Sequence, residues 1–201
     1  MIAILDYDMG NVAAIRNILK SVGVNDTIIT NKHDCINSAD KIILPGVGAF
    51  DTGVKKLKQY DLVGPLNEAK EKGKHILGIC MGMQLLGRAS EEGDLEGLDF
   101  IPFDCHKFPQ SDIYKVPHMG WDTVKINPQC KLTNMKDREF RYYFCHSYYA
   151  KCDDIENEIM SCTYGIDFCA GVELGNIYGV QFHPEKSHRY GKILFKRFSE
   201  L

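Results

Sequence analysis

The sequence has no surplus of basic charge. It holds 24 Lys and Arg against 27 Asp and Glu, a net charge of −3 with histidine neutral. That excludes the broad basic face by which proteins grip the phosphates of nucleic acid. It has no apolar run approaching ~18 residues, so nothing in it reads as a membrane span. It has no CxxC pair, which leaves zinc-ribbon and thioredoxin-like chemistry without a motif and no metal site to expect. The first residues, "MIAILDYDMGN", lack the basic region and cleavage site of a signal peptide and run straight from a strand-like stretch into acidic residues. Linkers, repeats and low-complexity tracts are missing as well.

What remains is an ordinary globular composition, 44% apolar and 25% charged over 201 residues, enough for one domain with its own core. Eight cysteines are spread along it: Cys35, Cys80, Cys105, Cys130, Cys145, Cys152, Cys162 and Cys169. A chain this long and apolar needs no disulfide staples, so they read as reduced, mostly buried thiols in a cytoplasmic protein.

The apolar pattern alternates strand and helix. "IAIL" at 2–5, "DTIIT" at 26–30, "DKIILPGVGAF" at 40–50 and "HILGI" at 75–79 are strand-like. Between the first two lies "NVAAIRNILKSVG", with Val12, Ile15, Ile18 and Leu19 on one helical face and Gly23 as a stop. "GVKKLKQYDLVGPLNEAKEKG" reads as one or two helices, and "MGMQLLGRAS" opens another. The second half is strand-rich, at 121–126, 139–150, 159–165, 167–174 and 176–182. Helical spacing returns at the end, where Tyr190, Ile193, Leu194 and Phe198 share a face. This predicts a single α/β domain over 1–201: an open, mostly parallel twisted sheet flanked by helices, with antiparallel strands added late.

One heptapeptide stands out, "GICMGMQ" at 78–84. In an open parallel sheet ligands bind beyond the carboxyl ends of the strands, where Cys80 falls. The G-x-C-x-G pattern is the thiol form of the nucleophile elbow, whose sharp strand-to-helix turn tolerates only small flanking residues. Such a turn presents Sγ at a helix start and aims the Met81 N–H at a developing oxyanion. A buried cysteine beside two turn glycines fits the same residues. A nucleophile needs a base and the base an orienter. "YGVQFHPEKS" offers His183 and Glu185 around Pro184, which forces extended backbone on the residue before it, so that side chains two apart point the same way. A surface histidine beside a solvated glutamate is the plainer reading of that stretch.

Together "GICMGMQLL" and "YGVQFHPEKS" resemble the triad motifs of class I, triad-type glutamine amidotransferases. "DYDMGN" at 6–11, "LPGVGAF" at 44–50, "VPHMGW" at 116–121 and "YYFCHSYYA" at 142–150 make the chain similar, end to end, to the glutaminase subunits of imidazole glycerol phosphate synthases. The resemblance implies a flavodoxin-like fold and no cofactor. It also implies glutamine hydrolysis to glutamate and ammonia through a thioester on Cys80, with His183 as base and then acid and Glu185 as its orienter. Val47, Gly48 and Met81 then form the oxyanion hole, and Gln84, His146, Ser147 and Tyr148 line the glutamine pocket. The implied partner is a (β/α)8-barrel synthase subunit, met near His118, Met119, Trp121, Tyr143 and Lys186. The glycines of "PGVG" let the peptide between Val47 and Gly48 adopt two orientations, so the partner is expected to switch the site on.

Some positions depart from the family pattern. Asp8 stands where glycine is common, Asp122 where asparagine is common, Cys145 in place of valine and Met81 in place of leucine. The first two leave open a paralogous subunit that feeds ammonia to an enzyme amidating cell-surface sugars. A cysteine peptidase shares the Cys and His but not "HPE" with "PGVG". A binding module with a relic triad is a further alternative. A dinucleotide protein lacks its G-x-G-x-x-G, and "PGVGAF" lacks the G-K-[ST] ending of a phosphate loop.

Overall fold

The computed structural model describes residues 1–133 and 140–201. In chain order its elements are β1 (Ile2–Leu5), α1 (Val12–Ser21), β2 (Thr27–Thr30), α2 (His33–Ser38), β3 (Lys41–Gly46), α3 (Phe50–Gln59), α4 (Val63–Glu71), β4 (His75–Cys80), α5 (Met81–Gln84), β5 (Ala89–Ser90), β6 (Phe103–Lys107), β7 (His118–Ile126), β8 (Phe140–His146), β9 (Tyr148–Cys152), β10 (Glu158–Tyr164), β11 (Ile166–Leu174), β12 (Ile177–Val180) and α6 (His188–Glu200). The strands form one mixed sheet in the order β2-β1-β3-β4-β12-β11-β10-β7-β8, with β9 bridging β11 to β6, and β5 beside β6.

From β2 to β12 the strands are parallel; from β12 to β8 they are antiparallel. The parallel strands β1 and β4 carry unbroken apolar runs because helices cover both faces. Ile15 and Leu19 of α1 pack with Leu194, Phe195 and Phe198 of α6 on one side. Ile36, Val54, Leu57 and Leu66 of α2, α3 and α4 fill the other. α1 begins where the Asn11 side chain accepts the Ala14 N–H at 3.1 Å.

The expected elements are present, and four details differ. Two short strands were not anticipated: β6 pairs antiparallel with β9, and β5 pairs parallel with β6. The helix opened by "MGMQLLGRAS" stops after one turn at Gln84, and Gly87 lies against the Phe103 ring as the chain turns into β5. The run at 139–150 splits at Ser147, and β8 and β9 pair with different strands. Its first residue, Glu139, lies outside the described residues. α2 is too short to leave a helical period in the sequence.

The register of the parallel strands places the site. Gly46 of β3 is level with Cys80 of β4, and Ile79 is level with Val180 of β12. The "PGVG" loop, the cysteine turn and the "HPE" segment therefore leave the sheet side by side. α5 sits so close above this edge that a Cβ on Gly82 would overlap the Leu44 carbonyl oxygen, and one on Gly78 would lie 2.6 Å from the Gly82 oxygen. Gly82→Ala is expected to lower unfolding free energy by about 1–3 kcal/mol or more, the usual cost of overpacking. Chemical denaturation measures this, and a wild-type midpoint would contradict the close approach.

Candidate active site

Cys80 ends β4 with φ 55° and ψ −114°, a conformation an L-residue adopts only under constraint. Strain of this kind costs roughly 1–3 kcal/mol and is held by the surrounding packing, here the contacts of Gly78 and Gly82. The elbow read from "GICMGMQ" is thus a real turn. The Cys80 thiol and the His183 ring line the same cavity, and Cys80 favours the charged imidazole. Sγ lies 3.8 Å from Gln181 Nε2 and 4.0 Å from the Cys145 carbonyl.

His183 Nδ1 lies 2.8 Å from Glu185 Oε1, with both side chains buried. The pairing was expected from an extended i, i+2 segment, but the backbone achieves it differently. Only His183 is extended; Pro184–Lys186 form a 3-10 turn that folds the carboxylate back under the ring. Ser187 Oγ donates to the His183 carbonyl at 2.6 Å and accepts the Tyr143 N–H at 3.0 Å, while the His183 N–H donates to the Tyr143 carbonyl at 2.8 Å. The other Glu185 oxygen, Oε2, is buried without a hydrogen-bond partner, so the carboxylate is committed to the imidazole. Burial disfavours the imidazolium, but the contacts with Cys80 and Glu185 outweigh it and raise His183 to about 10.

These groups open into a cavity of about 560 Å³ lined by Val47, Gly48, Ala49, Cys80, Met81, Gln84, Glu92, Pro117, Cys145, His146, Ser147, Tyr148, His183 and Lys186. A larger groove of about 930 Å³ shares Glu92, Ser147 and Tyr148 with it but is lined by no cysteine. Gly48 has φ +100°, a backbone conformation suited to glycine. The loop before it is anchored by the buried Tyr7 hydroxyl, which donates to the Pro45 carbonyl. Burial, and then the nearby Cys80, push that phenol's pKa up, so it stays a donor.

Two of the expected pocket residues are tied up in the protein itself. Both N–H groups of the Gln84 amide are used, toward the Tyr148 carbonyl at 3.3 Å and Gln181 Oε1 at 3.0 Å, so only its oxygen is free to meet a ligand. His146 is buried, and burial, with His118 and His183 nearby, lowers it to about 3 despite its bond to the Tyr148 carbonyl. It is a neutral ring. Its Nδ1–H donates to the Tyr148 carbonyl at 2.8 Å, and its Nε2 therefore accepts from His118 Nδ1 at 3.1 Å. His118 Nε2 faces Asp122 Oδ2 at 3.1 Å, and that last bond requires one further proton between the two. Burial lowers the His118 pKa, and Asp122 opposes that shift.

The residues expected at a partner surface divide. Along β7, Met119 and Trp121 are 60% and 38% exposed, whereas His118 is 1% exposed. His118 is a correction: strand alternation turns it inward onto His146, and it offers no surface. Tyr143 stands opposite Trp121 on β8, with the Lys186 ammonium 5.5 Å from the Tyr143 ring centroid, so Met119, Trp121, Tyr143 and Lys186 form one strip, of which Lys186 lines the cavity. Asp8, with φ 65°, binds Lys56 and Tyr60 and does not line the cavity.

Two residues were missed. Gln181, fully buried, links Gln84 to the Cys80 thiol; a lone amide in the apolar run "GVQF" was the available signal. Glu92 reaches the cavity wall, where its Oε2 accepts the Phe50 N–H at 2.8 Å. Nothing in the run "EEGDLEG" distinguished it from its acidic neighbours.

Residues 3–201 match the family described as Glutamine amidotransferase class-I. The chain is 48% identical to "Imidazole glycerol phosphate synthase subunit HisH 2" of Methanococcus maripaludis, over 98% of each chain. It is 44% identical to a protein of the same name from Pseudomonas aeruginosa, over the whole of both. Its fold matches the structure of PurLQS from Thermotoga maritima with a TM-score of 0.70 at 21% identity, covering 99% of this chain and 97% of that one. The family match and these near-full-length relatives agree with the cysteine turn and its histidine neighbour: the chain belongs to the class-I glutamine amidotransferases.

Proposed function

We propose that this chain is the glutaminase subunit of an imidazole glycerol phosphate synthase. It hydrolyses glutamine and passes the ammonia to a (β/α)8-barrel synthase subunit, which makes imidazole glycerol phosphate and AICAR in histidine biosynthesis. The observation that carries this reading is the strained Cys80 turn, sharing one cavity with a His183 that is held by a buried Glu185. The relatives described above bear the synthase subunit's name, and none is named for a surface-sugar enzyme.

In this reading His183 takes the Cys80 proton as Sγ attacks the side-chain amide carbon of glutamine. The Met81 and Gly48 N–H groups receive the oxyanion; a single such donor is typically worth on the order of 10²–10³ in rate. His183 gives a proton to the amide nitrogen as the C–N bond breaks and ammonia leaves. It then takes a proton from water, which attacks the thioester carbon; glutamate departs and the thiol is restored. Holding the proton taken from Cys80, His183 suits the acid step, because its contact with Glu185 favours the charged ring. Glu185 orients it. Glu92, Ser147 and Tyr148 hold the amino-acid end of glutamine, with Glu92 the carboxylate available to its ammonium. His146, kept neutral, carries the turn between Ser147 and Tyr148 and is not a second base. The strip of Met119, Trp121, Tyr143 and Lys186 meets the barrel subunit. The peptide between Val47 and Gly48 is the element that the partner biases, through contacts that differ between its two orientations.

Two outcomes test this. Raised in the fold, the His183 pKa contributes stability in full below about pH 6.5, the unperturbed value, and loses it as pH rises through about 10. The acid step follows the same proton, so kcat for glutamine falls on the alkaline side. Glu185→Gln removes one of the contacts that raise the pKa and is expected to move that fall toward neutrality by about 1 unit or more. An unmoved limb would remove Glu185 from its assigned role. In complex with the barrel subunit, Cys80→Ala is expected to abolish glutamine-dependent synthesis and keep ammonia-dependent synthesis. Glutamine-dependent synthesis by Cys80→Ala would overturn the assignment.

A further inference from the structure

The cysteines are dispersed in sequence, but the fold gathers two of them around a carboxylate. Cys152 ends β9, Glu158 opens β10 and Cys169 lies in β11. β11 pairs with both other strands: Cys169 stands opposite Ala150 of β9, and Val172 opposite Glu158 of β10. Alternation places Cys152 on the same face of β9 as Ala150, the face on which Ala150, Cys169 and Val172 are buried together. The two sulfurs and a Glu158 carboxylate oxygen all lie within 4.8 Å of one another. Among the described residues no other three His, Cys, Asp or Glu side chains converge in this way.

We infer that Cys152, Glu158 and Cys169 form a binding site for one zinc-class divalent cation that ties β9, β10 and β11 together. The donor set selects the ion. Thiolates favour zinc and similar soft or borderline metals, whereas magnesium and calcium require oxygen ligands. Zinc–sulfur bonds of roughly 2.3 Å in a tetrahedron separate two sulfurs by roughly 3.8 Å, which the present cluster accommodates. Three protein ligands leave the fourth position to water. Cys152 and Glu158 are partly exposed and Cys169 is buried, so an ion enters from the Cys152 side. No cationic side chain among the described residues neutralises Glu158, whose neighbours are the Cys152 backbone N–H and the thiols.

A disulfide is the competing use of two adjacent cysteines, and the register opposes it. Cys152 lies two residues beyond Ala150 and is thus a diagonal neighbour of Cys169. Diagonal Cα atoms sit about 7–8 Å apart, beyond the roughly 4.4–6.8 Å that a disulfide spans. A cation between the sulfurs bridges the difference. On binding, each thiol exchanges its S–H bond for an S–metal bond and releases its proton to water; no electron moves. The spacing of 152, 158 and 169 matches no metal motif in the sequence; only the three-strand junction brings these residues together.

The test uses the full chain carrying Cys80→Ala, so that the catalytic thiol takes no metal. Titration with Co²⁺ is expected to give one site per chain with a thiolate-to-metal charge-transfer band, and Zn²⁺ is expected to displace the cobalt. Adding Cys152→Ser or Cys169→Ser should weaken Zn²⁺ binding by at least about 10- to 100-fold, a loss seen even for residues behind a ligand, and remove the band. Glu158→Gln should weaken binding and keep the band. Zn²⁺ should raise the Tm of the Cys80→Ala chain and not that of the cysteine variants. If the buried Cys169→Ser variant does not fold, Cys152→Ser and Glu158→Gln, at partly exposed positions, decide the matter. Unchanged Zn²⁺ affinity in Cys152→Ser, or a cobalt spectrum without a thiolate band, would overturn the site.

Discussion

The site depends on one alignment in the parallel sheet: Gly46 level with Cys80, and Ile79 level with Val180. Three chain segments far apart in sequence leave three adjacent strands at the same height. A shift of one residue in either pair would turn a side chain to the opposite face and break the group apart. The register is held by backbone ladders and by bare contacts above them, where Gly82 presses on the Leu44 carbonyl. That closeness explains the strain at Cys80: the chain must turn sharply into α5 with no room to relax, and its φ becomes positive.

Around this alignment the buried polar groups are placed so that each has one task. Gln84 and Gln181 spend their amides on each other, on the Tyr148 carbonyl and on the Cys80 thiol. Tyr7 holds the loop before Val47 by the Pro45 carbonyl. Glu185 gives one oxygen to His183 and leaves the other without a partner, a cost accepted in a buried site only where the charge serves the imidazole. The chain from Tyr148 through His146 and His118 to Asp122 then braces the far wall of the cavity from behind.

Much of this was legible in the residues. Strands at 2–5, 26–30 and 75–79 end within a residue of those observed, because fully buried parallel strands leave unbroken apolar runs bounded by turn residues. Cys80, His183 and Glu185 were readable because elbow glycines and a proline leave a local signature. What was not legible depends on contacts distant in sequence. α5 stops after a single turn, with Gly87 against the Phe103 ring soon after, and the helical pattern of "MGMQLLGRAS" carries no sign of it. The inward face of His118 follows from the strand phase of β7, which the loop-like "VPHMG" concealed. Gln181 and Glu92 are polar residues whose roles appear only when their neighbours are in place. The cluster of Cys152, Glu158 and Cys169 is of the same kind, made by a junction of three strands.

The central claim is that the strained turn makes Cys80 unlike every other thiol in the chain. The direct measurement is peptide mapping after exposure to a diazoketone analogue of glutamine, which alkylates a nucleophile only once seated in a glutamine site. The account predicts one adduct per chain, on Cys80, suppressed by excess glutamine and slowed when His183 is replaced by alanine. An adduct on any other cysteine, or an unmodified Cys80 in a preparation that is turning over glutamine, would contradict it.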